Sequence, residues 1–157
     1  MASSHSVLVT GATGFVGSVL TRQLVDAGTD VRIFRRDTSP LDLLGTYAER
    51  VDHAVGDLRR ARSLYEAMQG VDRVYHVAAK VSFARGDRAA VRRVNADGTA
   101  HVVNAALKTG VDRLVHTSSI AALGRPPEPD WTIDETTEWQ GLPHRSAYAR
   151  SKRRAEL

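Results

Sequence analysis

The sequence predicts an α/β protein built on a doubly wound parallel sheet of about five strands. Three observations carry this. Short apolar, β-branched runs alternate along the chain with amphipathic stretches of about three helical turns. The strand runs are apolar throughout, as in strands covered on both faces of a parallel sheet. Three of the helical stretches close on a glycine, Gly28, Gly70 or Gly110, just before the next strand begins.

The elements follow in order. "SVLVTG" (Ser6–Gly11) reads as a buried first strand ending in a turn. From Phe15 the pattern becomes helical, with Val16, Val19, Leu20 and Leu24 on one face. "DVRIFRR" (Asp30–Arg36) is a second strand and "RVDHAVGDL" (Arg50–Leu58) a third. Arg59 to Gln69 is helical. "VDRVYHVAA" (Val71–Ala79) is a fourth strand, Arg88 to Lys108 a longer helix, and "VDRLVHTSS" (Val111–Ser119) a fifth strand. Gly124 to Arg145 holds four of the five prolines and both tryptophans and reads as a long connection. Ser146 then caps a last helix.

The 157 residues suffice for one domain with its own core. No apolar run approaches the roughly 20 residues of a membrane span, and "MASSHSVLVTG" lacks the pattern of a signal peptide. A soluble cytoplasmic protein is expected. The absence of cysteine excludes disulfides and thiolate metal sites. His5, His53, His76, His101, His116 and His144 form no close ligand pair in sequence, so no metal is expected. The net charge of +4 comes from 22 basic and 18 acidic residues that interleave, which reads as solvated surface rather than a nucleic-acid face.

"TGATGFVGS" (Thr10–Ser18) places Gly11, Gly14 and Gly17 between the first strand and the first helix. Glycine permits a tight turn and removes the Cβ that would block an approaching group. The free N–H groups and the dipole at a helix start attract phosphate. Gly11 would make the turn, Gly14 would admit a pyrophosphate, and Gly17 would let helix and strand approach. Thr13, Phe15 and Val16 lie in the same cradle. At the end of the second strand Arg35 and Arg36 stand where an acidic residue would accept from the ribose 2′-hydroxyl of NAD. Arginine suits a 2′-phosphate, so NADP is expected, with NAD as the alternative.

"SAYARSK" sets Tyr148 and Lys152 one helical turn apart on one face. Free tyrosine titrates near pH 10, too high for acid–base work at neutral pH. An ammonium at about 4 Å in an effective dielectric near 20 could supply about 4 kcal/mol, enough to bring the phenol to about pH 7. Only Lys80, Lys108 and Lys152 are lysines among the 22 basic residues, which marks the compact ammonium of Lys152 as specifically required. Ser119 closes the fifth strand, where ligands bind in an open parallel sheet; its hydroxyl could donate to a substrate carbonyl, with Thr117 and Ser118 as competitors.

Taken with "GDL" (Gly56–Leu58), "HVAA" (His76–Ala79) and "VNADGT" (Val94–Thr99), these motifs make the chain resemble the extended short-chain dehydrogenase/reductase superfamily, its epimerase, dehydratase and reductase branch. "VRIFRRD" and "VHTSSIAALG" look closer to the dihydroflavonol-reductase-like group than to nucleotide-sugar epimerases. The resemblance implies a Rossmann-like sheet. It implies Asp57 and Leu58 beside the adenine, Ala78 and Ala79 along the cofactor, and Asn95 near the active site. Ser119, Tyr148 and Lys152 match its catalytic triad, with Tyr148 and Lys152 also meeting the cofactor. It implies hydride transfer between a nicotinamide cofactor and a small carbonyl or alcohol substrate, and a homodimer through the helices that carry Asn95 and Tyr148. No nucleic acid or membrane partner is implied. A nucleotide-sugar epimerase or dehydratase is the second reading, and a nucleotide-binding module without turnover the third. Family members are roughly twice as long, so the chain is expected to be an N-terminal portion truncated before the substrate-binding region, with an open sheet edge beside the fifth strand.

Overall fold

The computed structural model of the protein describes residues 6–123, 130, 132–137, 139 and 146–157. Five strands, β1 (Ser6–Thr10), β2 (Asp30–Arg35), β3 (Asp52–Val55), β4 (Arg73–His76) and β5 (Arg113–His116), form one parallel sheet in the order β3-β2-β1-β4-β5. The helices are α1 (Phe15–Asp26), α2 (Ala61–Ala67), α3 (Arg88–Arg92), α4 (Gly98–Thr109) and α5 (Ala147–Glu156). Because β1 lies between β2 and β4, chain order reverses at β1. The crevice at the carboxyl ends of β1 and β4 is the switch point where such sheets bind ligands.

Alternation along β1 divides the core. Leu8 joins Phe34, Leu64, Met68, Val74 and Val102 under α2 and α4, while Val7 and Val9 join Val31, Ile33 and Leu44 on the opposite face. β1, β2 and β4 are therefore covered on both faces, as their apolar runs predict. The edge strands depart from that expectation. β3 spans four residues and is mostly exposed, and β5 alternates exposed and half-buried positions, leaving Val115 44% exposed. Among the described residues, only one side of each of these strands has a neighbour.

Two further differences concern the helices. The buried face of α1 is Gly17, Ser18, Thr21 and Val25, whereas Val16 and Val19 are exposed and Leu20 and Leu24 only partly buried. Small residues win this face because the helix lies so close to the turn: a Cβ on Gly17 would stand 2.1 Å from the Gly11 carbonyl oxygen. The predicted long helix from Arg88 is interrupted by a π-helical turn at Arg93–Asp97, between α3 and α4. Of the Gly124–Arg145 connection, residues 124–129, 131, 138 and 140–145 lie outside the described residues. Ser146 does cap α5, its Oγ accepting from the Ala149 N–H at 3.2 Å.

Candidate functional site

A cleft of about 840 Å³ opens at the switch point. One end is lined by the Gly11–Gly17 turn, Arg35, Arg36, Asp57, Leu58 and Arg59, the other by Ala78, Ala79, Val81, Thr117, Ser118, Tyr148 and Lys152. Thr13, Phe15 and Val16 lie along its floor, with Phe15 80% exposed.

The three glycines of the turn act differently. Gly11 has φ +76°, and a Cβ there would stand 2.6 Å from the Ala78 nitrogen, so its bareness brings the ends of β1 and β4 together. Gly17 seats α1 against the turn. Gly14 has φ −91° and ψ 173°, open to any residue, and its missing Cβ would meet only the Gly11 carbonyl oxygen, at 3.3 Å. Packing does not demand glycine at 14; space does. The first helical hydrogen bond runs from Ser18 N–H to the Gly14 carbonyl, so the N–H groups of Phe15, Val16 and Gly17 have no acceptor within the helix. No acidic residue occupies the first turn of α1. These features fit an anion such as a dinucleotide pyrophosphate.

The two arginines after β2 are not equivalent. Arg35 is engaged, donating from Nε to His53 Nδ1 at 2.8 Å and from one terminal nitrogen to the carbonyls of Arg36 and Asp37. Arg36 lines the cleft with no hydrogen bond or ion pair among the described residues. Asp57 is held by Arg59, whose Nε donates to both carboxylate oxygens at 2.9 and 3.0 Å, whose Nη2 donates to Oδ2 at 2.5 Å and whose backbone N–H adds a fourth bond at 2.9 Å. That grip pulls the Asp57 carboxyl down to about 2. Gly56 is required locally, since a Cβ would press on the Phe34 ring at 2.6 Å.

At the other end, Tyr148 and Lys152 share the cleft-facing side of α5. Lys152 is 2% exposed, and its Nζ donates to the Thr117 carbonyl at 2.8 Å and lies 3.4 Å from His116 Nε2. Burial lowers its pKa below the ordinary lysine value. Tyr148 meets the Phe83 ring edge-on with centroids 6.0 Å apart. Ser119 does not line the cleft: its Oγ accepts from the Ala121 N–H at 3.2 Å, capping the turn Ile120–Ala122. Ser118 and Thr117 line it instead, and Ser118 donates to the Glu156 carboxylate.

Asn95 is buried within the π-turn and does not line the cleft. It accepts from Lys80 N–H at 2.7 Å, donates to Lys80 carbonyl at 3.0 Å and to Ser151 Oγ at 3.0 Å, tying the loop after β4 to α5.

Sequence reasoning missed a buried polar chain. Thr99 donates its only hydrogen to the Asn95 carbonyl at 2.6 Å, so it must accept from His76 Nε2–H at 2.9 Å. His76 Nδ1 then accepts from Thr10 Oγ1 at 2.7 Å, and Thr10 Oγ1 accepts from Ala78 N–H at 3.4 Å. Burial holds this neutral His76 down at about 3. His116, its register partner on β5, stacks on it with ring centroids 5.2 Å apart. Forty residues of separation hide this pair until the strand register is known. Among the described residues no group of three or more His, Asp or Glu side chains could hold a metal, and no helix is long and apolar enough to cross a membrane.

Known proteins share this arrangement. The model of the NAD dependent epimerase/dehydratase family matches residues 7–157. Sterol demethylase protein B of Methylococcus capsulatus is 44% identical over 132 residues, covering 82% of this chain and 40% of that protein. A putative dihydroflavonol 4-reductase of Synechocystis is 41% identical over 124 residues, 79% of this chain and 35% of the relative. Among solved structures, a short-chain dehydrogenase/reductase superfamily protein from Agrobacterium tumefaciens with bound NAD has a TM-score of 0.80 at 32% identity, over 97% of this chain and 43% of that one. The dTDP-glucose 4,6-dehydratase DesIV of Streptomyces venezuelae, with NAD and TYD bound, has a TM-score of 0.83 at 29% identity, over 97% and 49%. The chain thus spans less than half the length of these relatives, and within that span the strand order, the glycine turn and the cleft at the switch point are in place: it belongs to the NAD dependent epimerase/dehydratase family.

Proposed function

We propose that the chain is the cofactor-binding part of an NADP-dependent oxidoreductase acting on a small carbonyl or alcohol substrate. One observation carries the cofactor preference. Arg36 lines the cleft beside the end of β2 and makes no hydrogen bond or salt bridge among the described residues, its charge acting on Asp57 only at a distance, while Arg35 is tied to His53 and backbone carbonyls. A free planar donor set at this place suits a 2′-phosphate. The Gly14 cradle and the unpaired N–H groups of Phe15, Val16 and Gly17 would hold the pyrophosphate, Leu58 and Arg59-clamped Asp57 the adenine side, and Ala78 and Ala79 the path toward the nicotinamide.

When bound, the cofactor would supply or accept the hydride. The chain's own residues would handle the proton and the orientation. Tyr148 would donate a proton to the substrate oxygen or take one from it. Lys152, one turn further along α5, would favour the phenolate electrostatically and keep a hydrogen for the nicotinamide ribose. Ser119 caps the turn Ile120–Ala122 outside the cleft lining, so of the three strand-end hydroxyls Thr117, which lines the cleft, would be the one placed to orient the substrate oxygen, Ser118 being turned to Glu156. Asn95 would act at one remove, by fixing the loop after β4 against α5. The likeness to the NAD-bound dehydratase favours a second reading, a nucleotide-sugar epimerase or dehydratase that works with NAD.

Calorimetric titration separates the two. The first reading expects NADP to bind more tightly than NAD, with Arg36→Ala narrowing the gap by about 1.5–3 kcal/mol, ten-fold or more. Equal affinities, or tighter NAD binding, reject it.

A further inference from the structure

His116 has no place in the chemistry above, yet it is the one side chain besides the Thr117 backbone that Lys152 touches through Nζ among the described residues. An ammonium has only hydrogens to give, so His116 Nε2 must meet it with a lone pair. In the neutral ring the hydrogen then sits on Nδ1, which is enclosed and has no partner among the described residues. The stack on His76, itself held by Thr10 and Thr99 at both nitrogens, fixes the plane of the ring; the flipped ring would keep that stack but turn Cε1 instead of Nε2 toward Lys152. A buried N–H is left unsatisfied so that the opposite nitrogen can face Lys152.

We propose that His116 is a positioning residue for Lys152, its unprotonated Nε2 taking one ammonium hydrogen and holding Nζ at the mouth of the cleft. This rests on the reading that Lys152 serves the bound cofactor. With one hydrogen on Thr117 and one on His116, the third remains for the cleft that Lys152 lines. Protonation of His116 removes the lone pair and sets two cations 3.4 Å apart, so the anchor is lost in acid. The titratable groups facing His116 are His76 from β4 and Lys152 and Glu156 from α5. Burial and Lys152 press its pKa below the ordinary histidine value, and Glu156 opposes them. The neutral, anchoring form is thus the one present at neutral pH.

The test uses the chain with NAD as probe, because the pyrophosphate of NAD keeps its charge over the range needed. Affinity is measured by calorimetry from about pH 8 down to about pH 5, across the histidine range. Because the His116 pKa is lowered, the native chain should begin to lose affinity only toward the acid end of that range and should approach a loss of about ten-fold, the scale of one charge-assisted hydrogen bond, as the ring becomes fully protonated. His116→Gln, which keeps an acceptor but does not titrate, should bind like the native chain near neutrality and hold its affinity into acid. His116→Phe, which keeps the stack but not the acceptor, should be weak throughout. A native-like acid loss in both variants overturns the positioning role. A ¹⁵N-histidine spectrum of the native chain gives an answer independent of variant folding: His116 should carry its hydrogen on Nδ1, and an Nε2–H ring overturns the proposal. Lys152→Met binding NAD as tightly as the native chain at neutral pH would instead reject the underlying role of Lys152.

Discussion

Gly14 is the glycine of its turn whose replacement costs the fold least. Its backbone angles suit any residue, whereas Gly11 has φ +76° and Gly17 would drive a Cβ to 2.1 Å from a carbonyl oxygen. Gly14→Val, at the N-cap of α1 and 3.3 Å from the Gly11 carbonyl oxygen, should therefore cost about 1 kcal/mol, a few degrees of melting temperature, and less than Gly17→Ala, while lowering NADP affinity by more than about ten-fold. Gly17→Ala should destabilise by about 1–3 kcal/mol or more through overpacking. A melt and a titration of each variant check the contrast. Normal binding by Gly14→Val would remove the phosphate cradle from its assigned place. His76 gives a second residue-scale expectation. Its folded value of about 3 lies far below the ordinary 6.5, so as pH falls through this window the unfolded chain binds a proton that the folded chain refuses. Stability is complete above about pH 6.5 and should fall with falling pH by up to about 1.4 kcal/mol per unit. Denaturant titrations near neutrality and in mild acid should show a steeper acid loss for the native chain than for His76→Gln.

At the scale of elements, the buried amide of Asn95 ties α5 to the loop after β4, while Lys152 and Glu156 tie it to the end of β5. Asn95→Ala leaves Lys80 N–H, Lys80 carbonyl and Ser151 Oγ short of a partner and should cost roughly 2–4 kcal/mol. The effect should concentrate on α5, so its backbone amides should exchange faster than those of β1. Uniform exchange across both elements would contradict this. The strands of the centre were legible in the sequence because burial on both faces writes an unbroken apolar run. The inward face of α1 was not, because closeness to the turn selected Gly17, Ser18 and Thr21 over the larger apolar residues beside them. The π-turn was equally hidden: Arg93–Asp97 continues the helical pattern and differs only in its hydrogen bonding. Of the residues lining the cleft, those of the glycine turn, Arg35, Arg36, Asp57, Leu58, Ala78, Ala79, Tyr148 and Lys152 sit in contiguous motifs, whereas Ser119 and Asn95, marked by the same kind of motif, do not line it. The contacts made across strands and between α5 and the sheet, such as His76 with His116 and Asn95 with Ser151, depend on register and packing that one sequence does not display.

For the whole molecule, cofactor binding and turnover separate. The residues that would meet the dinucleotide lie within this chain, while the chain spans under half the length of the relatives it matches. Productive orientation of a substrate can account for several kcal/mol of a barrier, about 7–11 in the best cases, and requires walls on all sides of the reacting groups. In a version extended to the relatives' length, Tyr148→Phe should abolish most turnover of aldehydes, ketones or nucleotide sugars while leaving NADP affinity within about two-fold. Native rates in that variant would remove Tyr148 from the chemistry. The present chain should bind the cofactor and turn over little. Comparable turnover by the two versions would show that these 157 residues suffice to orient the substrate.

The chain contains no cysteine, and its cleft opens on the start of a helix whose first residue, Phe15, is 80% exposed. Phe15→Cys would therefore install a unique thiol at the positive end of α1, where the thiolate form is favoured and alkylation is fast. A dinucleotide lying over that helix start would shield the sulfur. Labelling rate then becomes a direct gauge of cleft occupancy, and it can rank NADP, NAD and their fragments without a substrate or a catalytic cycle.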